Sequence, residues 1–536
     1  MNKSPSYPLF IVLLLASLFL SACGGGSSSS GNTPVETGDP GPGDPDPGDP
    51  GPSDPPSAKW QLPVGNYISA KMPMHLVYPR PDTETGDFAR HKYAHPNMVY
   101  EIPVGVQGGA WPFKYELLQS PAGAKIGEVY GSTNYGSITW MAPDTGTYTF
   151  EVKITDQELK SVTATWEVTV DAAQFVFIQD GYIGTKTGTI DQPLEDIEDW
   201  YKGDRADTTF HNKIIVFREG SYSLIGGVAT NGNVRLDTVS KTRSFISYPG
   251  EKPVIDCSKA KILTDSKSHD LFVAGIRWEN GRQDVNNAHF FWAIGDVSRS
   301  TWWRNHFHNL GPGLVGNDNT LPVFVSNTSV LKHNILYKEN AHTQINNFGF
   351  NGGYFEAYVS NHVLIEQNIA SNSAVAYGFF AKGTRAYVSI RANTAINNVK
   401  GTQIAVGNNT ESGDVPHDHE ICWNNIKAPD ENVLLISSGD NYAGQTFNSH
   451  IYRNTIIGDT AWVRFPGKEN FKVDGNVVIT KDMNAASSRW NTSIMDSDIV
   501  TNLTTDGSED YVDVEGKLKG TFRDQYIGTH GHEIAF

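Results

Sequence analysis

The chain has 536 residues, with 59 Asp and Glu against 42 Lys and Arg, and its formal net charge is −17. This excess of negative charge argues against nucleic acid as a partner, because the phosphate backbone attracts basic surfaces. The length suffices for two or three domains. The three cysteines are too few for a disulfide framework, and we expect Cys257 and Cys422 to be buried thiols that lie too far apart to pair.

Residues 1–57 have the composition of an export signal followed by a tether. The apolar run from Leu9 to Leu20 is too short to span a membrane as a mature helix. It ends in Leu20-Ser21-Ala22-Cys23, which resembles the lipobox of bacterial lipoproteins. The resemblance implies a signal peptide over residues 1–22 and lipidation of Cys23; the alternative is an ordinary signal peptide with a chance cysteine. Residues 23–57, rich in Gly, Ser, Asp and Pro, are predicted to be an extended tether.

Gly24 and Gly25 follow the cysteine, with no Asp after it. In Gram-negative lipoproteins, which this segment resembles, that pattern implies sorting to the outer membrane. We therefore expect an outer-membrane lipoprotein, on the cell surface or facing the periplasm, that contacts the membrane through its lipid anchor.

Residues 58–172 are predicted to form a β-sandwich. Apolar and polar residues alternate over Tyr148 to Ile154 and again over Val162 to Val170, which is typical of half-buried strands. The segments Gly108 to Leu117 and Ala142 to Tyr148 resemble the Ig-like modules of bacterial surface proteins. Such modules are spacers or sugar-contacting accessories. Three tryptophans are candidates for stacking on sugars or for packing in the core: Trp60, Trp111 and Trp140.

A short pattern recurs from Trp302 to Thr480: an apolar residue, two residues of any type, then an Asn. Successive Asn residues lie 22 to 34 positions apart. This period predicts a solenoid of short strands, because one such unit cannot bury its apolar face alone. Asn tolerates a left-handed backbone, and a column of its amides is expected to form a ladder. The predicted corner residues are Asn305, Asn334, Asn368, Asn393, Asn425, Asn454 and Asn476.

The repeat resembles the right-handed parallel β-helix of the pectate-lyase-like superfamily, over residues 173–536. The predicted fold class is therefore all-β, with an Ig-like β-sandwich followed by a β-helix solenoid. Phe175 to Ile178 is expected to open the solenoid. A short helix at Glu195 to Tyr201 is expected to cap it, because an open coil exposes an unpaired edge. Gly516 to Gly531 resembles the closing segment of such proteins.

Lys382 is the first candidate for chemistry. Side chains on one parallel sheet of a solenoid stack in register at intervals of about 5 Å. We align the rows Phe348-Gly349-Phe350, Phe380-Ala381-Lys382, Ile404-Ala405-Val406 and Leu434-Leu435-Ile436. In this alignment Lys382 stands where its neighbours are apolar, and such a broken local rule is expected most often at functional sites. The alternative is a lysine that reaches solvent past the end of the strand.

The predicted catalytic residues are Lys382, Arg385 and Tyr377. A uronate lyase neutralises a carboxylate, removes the acidic proton beside it and protonates the leaving oxygen. Arg385 suits the first task, Lys382 the second and Tyr377 the third. The family resemblance implies the same, because several β-helix lyases use Lys and Arg in this way.

Two long excursions, residues 342–358 and 407–419, flank that strand. Excursions on one side of a solenoid often form its binding cleft. His417-Asp418-His419 is also a candidate metal or proton-shuttle group, and His306 with His308 forms a second candidate surface. The predicted substrate-binding residues are Arg391, Asn346, Asn347, Tyr354, Glu356, His417 and His419.

The best-known catalytic motifs of the superfamily are missing from the sequence. The Asn-Thr-Asp, Asp-Asp and His-Gly set of polygalacturonase-like hydrolases is not found, nor are the Arg signatures of calcium pectate lyases. Alginate and chondroitin lyases of this fold have Lys-Ser where this chain has Lys382-Gly383. We predict a monomeric carbohydrate-active protein that cleaves an acidic polysaccharide by β-elimination, with no certain cofactor and Ca²⁺ as a candidate. The alternatives are a non-catalytic, adhesin-like glycan-binding lipoprotein and a glycoside hydrolase using two of Glu356, Glu366 and Asp414.

Overall fold

The computed structural model describes residues 70–200, 210, 212–223, 233–235, 244–258, 261–264, 269–281, 289–295, 297–311, 321–327, 333–347, 353–375, 377–382, 386–396, 402–407, 417–437, 447–464, 472–474, 476–480 and 503–505. The predicted lipobox, the tether, Trp60, Arg385 and the closing segment at Gly516 to Gly531 lie outside the described residues. None of the helices in the part of the chain that the structure describes is long and apolar enough to cross a membrane.

The first nine described strands form the N-terminal unit. They are β1 (His75–Tyr78), β2 (Tyr93–Ala94), β3 (Val99–Pro103), β4 (Gly105–Gln107), β5 (Lys114–Gln119), β6 (Lys125–Ile126), β7 (Ser137–Met141), β8 (Gly146–Thr155) and β9 (Ser161–Val170). Short 3₁₀ helices lie at Asp82–Glu84, Arg90–Lys92 and Ala172–Gln174.

Two of the sheets in this unit face each other across a shared core. One has the order β2-β9-β8-β5 and the other β3-β7-β6, and β1 pairs with β4. The ring of Phe150, from the first sheet, lies 5.8 Å from the ring of Tyr100 and 5.6 Å from that of Trp140, both from the second. Trp111 and Trp140 are buried, so both tryptophans pack inside the protein. The unit is thus a sandwich, and its likeness to Ig domains stays a prediction.

The remaining described strands build the solenoid. In chain order they are β10 (Phe175–Ile178), β11 (Ile214–Phe217), β12 (Ser221–Ser223), β13 (Asn233–Arg235), β14 (Ser244–Ser247), β15 (Val254–Asp256), β16 (Lys261–Thr264), β17 (Phe272–Ala274), β18 (Arg277–Gly281), β19 (His289–Gly295), β20 (Thr301–Trp303), β21 (His306–Leu310), β22 (Leu321–Asn327), β23 (Ile335–Lys338), β24 (Ala341–Asn347), β25 (Phe355–Tyr358), β26 (Val363–Glu366), β27 (Ile369–Ser371), β28 (Ala374–Val375), β29 (Tyr377–Lys382), β30 (Ala386–Arg391), β31 (Thr394–Ile396), β32 (Thr402–Gly407), β33 (His417–Cys422), β34 (Asn425–Ser437), β35 (Phe447–Tyr452), β36 (Thr455–Arg464), β37 (Lys472–Asp474), β38 (Val477–Thr480) and β39 (Leu503–Thr505).

These strands form two long parallel sheets. The first sheet takes one strand from each coil, in the order β10-β11-β14-β17-β20-β23-β26-β30-β33-β35-β37. The second sheet takes the strands that follow within each coil, such as β21 and β22 after β20. Within each sheet the described strands pair in parallel, and apolar side chains from both sheets fill the interior. The predicted parallel β-helix is confirmed by this geometry.

The start of the solenoid is capped as predicted. Residues 197–200 are helical, and Leu194, Ile197 and Trp200 join the apolar interior of the first coils. Cys257 and Cys422 are both buried and unpaired with each other, also as predicted.

The sandwich covers the outer face of the first sheet. Gly105 packs so closely on this sheet that a Cβ there would lie 3.0 Å from the Leu336 side chain. The rings of Trp111 and Trp423 lie 5.0 Å apart, and those of Tyr78 and Phe272 5.6 Å apart. We call this sheet the covered sheet. Its strands are buried on both faces, as is usual for parallel sheets.

A ladder of buried asparagines runs along the corner after the covered sheet. From Asn340 onward, each side-chain oxygen accepts from both the backbone and the amide N–H of the Asn one coil earlier, at 2.9–3.1 Å between Asn340 and Asn368. In the described residues the ladder consists of Asn305, Asn340, Asn368, Asn393, Asn424, Asn454 and Asn476. Asn340 and Asn424 replace the predicted Asn334 and Asn425. Each stands three residues after an inward-facing side chain, Tyr337 and Ile421 respectively.

The residue before each of the first six ladder asparagines adopts the left-handed backbone conformation. Six non-glycine residues have φ of 53–58° there: Arg304, Glu339, Gln367, Ala392, Trp423 and Arg453. This conformation costs a non-glycine residue roughly 1 kcal/mol. The sharp corner and the amide ladder therefore come from adjacent residues, whereas the sequence had suggested the Asn itself for both roles.

Asn368→Ala is expected to lower the free energy of unfolding by about 3 kcal/mol, because it leaves a buried N–H of Asn340 and the carbonyl of Tyr337 without their partner. Denaturant unfolding measures this loss. Asn346→Ala is the matched control. Asn346 is half-buried, and its amide donates to the carbonyl of Gln344 over a long 3.5 Å, so its loss should cost less than about 0.5 kcal/mol. Equal losses in the two variants would contradict a structural role for the ladder.

Candidate functional site

The outer face of strands β19, β22, β25, β29 and β32 carries the candidate site. Side chains alternate across a strand, and Phe355 and Ala357 of β25 both lie in the apolar interior. Glu356 between them therefore lies on the outer face. Its side chain is only 2% exposed. A buried carboxylate on the outside of a solenoid requires neighbouring groups that satisfy it.

Two aromatic residues flank Glu356 along the stack. The register pairs Phe324 of β22 with Glu356, and Glu356 with Phe380 of β29. Each step is one coil, or about 4.8 Å. Phe324 is half-buried, and its ring stacks on that of His289 at 5.7 Å. We call Phe324, Glu356 and Phe380 the aromatic–acid row.

A second row lies two residues further along the same strands. Here the backbone of Tyr358 pairs with that of Lys382, and Lys382 pairs with Gly407. The Tyr358 ring is 6.3 Å from that of Phe324, which joins the two rows. The structure thus brings the predicted Lys382 next to a tyrosine and beside the aromatic–acid row.

The predicted strand alignment is wrong in register. Lys382 pairs with Tyr358 and Gly407, where the sequence alignment had placed Phe350 and Val406. The third row is shifted by one residue, and the first row consists of residues 355–358 instead of 348–350. The sequence did not predict the register because the turns between strands differ in length. A slip of one residue moves every side chain of a strand to the other face.

Tyr377 and Lys382 occupy opposite ends of β29. Five residues of extended strand separate their Cα atoms by about 16 Å. The tyrosine whose backbone pairs with Lys382 is Tyr358, whereas Tyr377 stands at the far end of the strand. In the sequence, Tyr358 ends the predicted excursion at residues 342–358, and no motif there marked it as a catalytic residue.

Arg391 lies in the interface between the sandwich and the covered sheet, where substrate has no access. It donates to Glu366 at 2.7 Å, to the carbonyl of Gly108 at 3.3 Å and to the carbonyl of Val106. Its guanidinium also lies 4.8 Å from the centre of the Phe113 ring. Complete burial and this set of partners do not fit the predicted substrate contact.

Arg391 belongs to a buried ion cluster, which we define as Lys338, Glu366, Arg391 and Glu420. Lys338 lies 3.0 Å from Glu366, and Arg391 lies 3.5 Å from Glu420. Burial raises the pKa of Glu366, but Lys338 and Arg391 outweigh it and hold that pKa below its usual value. Burial raises the pKa of Glu420 above its usual value, and Arg391 offsets only part of the shift.

Of the other predicted binding residues, two lie in the interior. Tyr354 packs against Phe379, with ring centres 5.4 Å apart. His419 is buried, and burial lowers its pKa to about 3. His417 is half-exposed and lies 2.6 Å from Asp418. Asn346 is half-buried near the end of β24, and the backbone of Asn347 pairs with Val375.

No group of three or more His, Cys, Asp or Glu side chains within the described ranges is arranged to hold a metal ion as the side chains stand. The Ca²⁺ requirement therefore stays a prediction.

No protein-family model and no curated protein matches the chain. Two solved structures are remotely similar. A family 28 exopolygalacturonase from Yersinia enterocolitica has 10% identity and a TM-score of 0.28, over 80% of this chain and 98% of that one. A Bacteroides fragilis protein, whose alpha-galactosidase assignment is an inference, has 11% identity and a TM-score of 0.16, over 36% of this chain and 39% of its own length. Such remote likeness carries no argument, and the fold stands on the strand geometry above.

Proposed function

We propose that the protein is carbohydrate-active and that its polymer lies across the outer face of β22, β25 and β29. The observation that carries the proposal is the aromatic–acid row next to the Tyr358–Lys382 pair. The half-buried rings of Phe324 and Tyr358 suit the apolar faces of sugars, and the buried Glu356 and Phe380 (2% and 5% exposed) lie next to them. Pockets that combine apolar walls with a few polar groups are typical of ligand sites.

The reaction we propose is β-elimination on an acidic polysaccharide. The amine of Lys382 takes the proton beside the uronate carboxylate, and the hydroxyl of Tyr358 protonates the leaving oxygen. A C–H bond and a C–O bond break, and a C=C bond forms in the new terminal ring. Arg385 remains the proposed partner of the uronate carboxylate.

Lys382→Ala and Tyr358→Phe are each expected to lower turnover by about 10²- to 10⁴-fold, because each removes one proton-transfer group. The assay uses acidic and neutral polysaccharides, with and without Ca²⁺, and follows the ultraviolet absorbance of unsaturated uronate together with new reducing ends. Lys427→Ala and Tyr248→Phe, on other faces of the solenoid, are the controls. Full activity in Lys382→Ala would rule out the mechanism.

A glycoside hydrolase is the second candidate, and the carboxylate of Glu356 on the outer face of β25, between Phe324 and Phe380 in register, favours it. Hydrolysis requires a second carboxylate across the scissile bond. Reducing ends without the ultraviolet signal, lost in Glu356→Gln, would support this reaction. Binding of a polymer with neither signal would favour an adhesin-like receptor.

We also propose that Cys23 anchors the protein to the outer membrane as a lipoprotein, as the lipobox sequence supports. Cys23→Ser should move the protein from the membrane fraction of expressing cells to the soluble fraction. Retention of this variant in the membrane fraction would contradict the anchor.

A further inference from the structure

A second group of polar side chains lies on the outer face of β18, β21 and β24, on a different face of the solenoid from the aromatic–acid row. His306 and His308 stand two residues apart on β21, and Phe307 between them lies in the interior. Both imidazoles therefore project to the same outer face. Both are half-buried, so ligands have access to them.

The two histidines converge on one point. Nε2 of His306 lies 2.8 Å from the Thr343 hydroxyl oxygen, and Nδ1 of His308 lies 2.7 Å from the same atom. A hydroxyl has one proton, so it donates to one imidazole and accepts from the other. The ring centres are 5.8 Å apart. A metal bound to both nitrogens would lie about 3.2 Å from each ring centre, given Zn–N bonds of about 2.1 Å. The ring separation allows this, provided that the Thr343 hydroxyl, which occupies the point between the two nitrogens, rotates aside.

A carboxylate stands beside this pair. The register pairs Glu279 of β18 with His308, and Arg277 with His306, one coil away or about 4.8 Å. Glu279 is held by an ion pair with Arg277, whose side chain is 39% exposed. Rotation of Arg277 into solvent would free the carboxylate for a ligand between the strands.

We propose that His306, His308 and Glu279 form a site for a divalent transition metal of the Zn²⁺ class once Arg277 releases the Glu279 carboxylate, with the Thr343 hydroxyl beside it. Two imidazoles and one carboxylate are a ligand set that such ions prefer, and a half-exposed site leaves a coordination position for water.

Arg277 provides a further test of the proposal. Its guanidinium forms an ion pair with the Glu279 carboxylate and places a positive charge near the proposed metal. Arg277→Gln is therefore expected to raise the affinity for Zn²⁺ by about tenfold or more, which corresponds to about 1.4 kcal/mol. Weaker binding in this variant would overturn the role of Glu279.

Titration calorimetry of the full-length protein with Zn²⁺ alone, and the visible absorption of its Co²⁺ form, provide the measurements. We expect one equivalent of metal, at least tenfold weaker in His306→Ala and in His308→Ala. His417→Ala is the matched control, because the other His-x-His sequence has a left-handed Asp418 and a buried His419, so its rings do not converge. It should leave binding unchanged. No binding by the wild-type protein, or equal binding by a His306→Ala/His308→Ala double variant, would overturn the proposal.

Discussion

Arg391→Met is expected to lower the free energy of unfolding by about 3–5 kcal/mol, which is the typical cost of removing one partner from a buried ion pair. Glu366 and Glu420 would then remain in the interface with only Lys338 to balance them. The carbonyls of Val106 and Gly108 in the sandwich would lose their donor as well. Denaturant unfolding at pH 7 measures the loss.

Arg277→Met is the matched control, because its pair with Glu279 is partly exposed and such pairs contribute about 0–1 kcal/mol. The double variant Arg391→Met/Glu366→Gln should recover part of the loss, since it leaves Lys338 and Glu420 as one positive and one negative group. A loss in Arg391→Met no larger than that of the control would show that the cluster does not hold the interface together.

Acidification from pH 7 to pH 5 is expected to destabilise the fold by about 2 kcal/mol for each of three buried histidines. Burial is the main cause that lowers the pKa of His91, His342 and His419 to about 3 each. The usual value is about 6.5, so below it the unfolded chain takes up protons that the native protein excludes. This stability is fully present above pH 6.5 and is lost as the pH falls towards the native pKa.

His419→Leu separates this effect from general loss of packing. Unfolding in urea at pH 7 and pH 5 should show a pH-dependent loss smaller by about 2 kcal/mol than in the wild-type protein. Val388→Ala, at the position paired with His419 on the next strand, is the control. It should lower stability equally at both pH values. An unchanged pH dependence in His419→Leu would mean that this histidine is protonated in the native protein.

The tight join between the sandwich and the solenoid bears on the role of the N-terminal unit. Its residues cover the outer face of the covered sheet, and its carbonyls complete the bonding of Arg391. A spacer or a detachable sugar-binding accessory, as the resemblance implied, would expose this face. The sandwich is instead part of the solenoid's packing, which leaves the outer face of the second sheet for ligands.

Several features were readable from the sequence because they depend on local pattern. The spacing of Asn residues after apolar residues predicted the solenoid and five of its ladder positions, since each coil must turn the same corner. The capping helix and the buried cysteines followed from composition and from the need to close an open coil. At the two corners that were misassigned, a second Asn stands nearby: Asn334 near Asn340, and Asn425 next to Asn424. Local pattern did not separate these pairs.

The tertiary structure alone decided which side chains share a face. The turns between strands vary in length, so the pairing of Lys382 with Tyr358, and of Glu356 with Phe324 and Phe380, had no signal in the spacing. The burial of Arg391 depends on Gly108, 283 residues earlier in the chain. Parallel strands pair across long excursions, and a one-residue change of register exchanges the interior for the surface. The sequence by itself therefore determined the solenoid and its corners, whereas long-range packing determined the candidate site and the covered face.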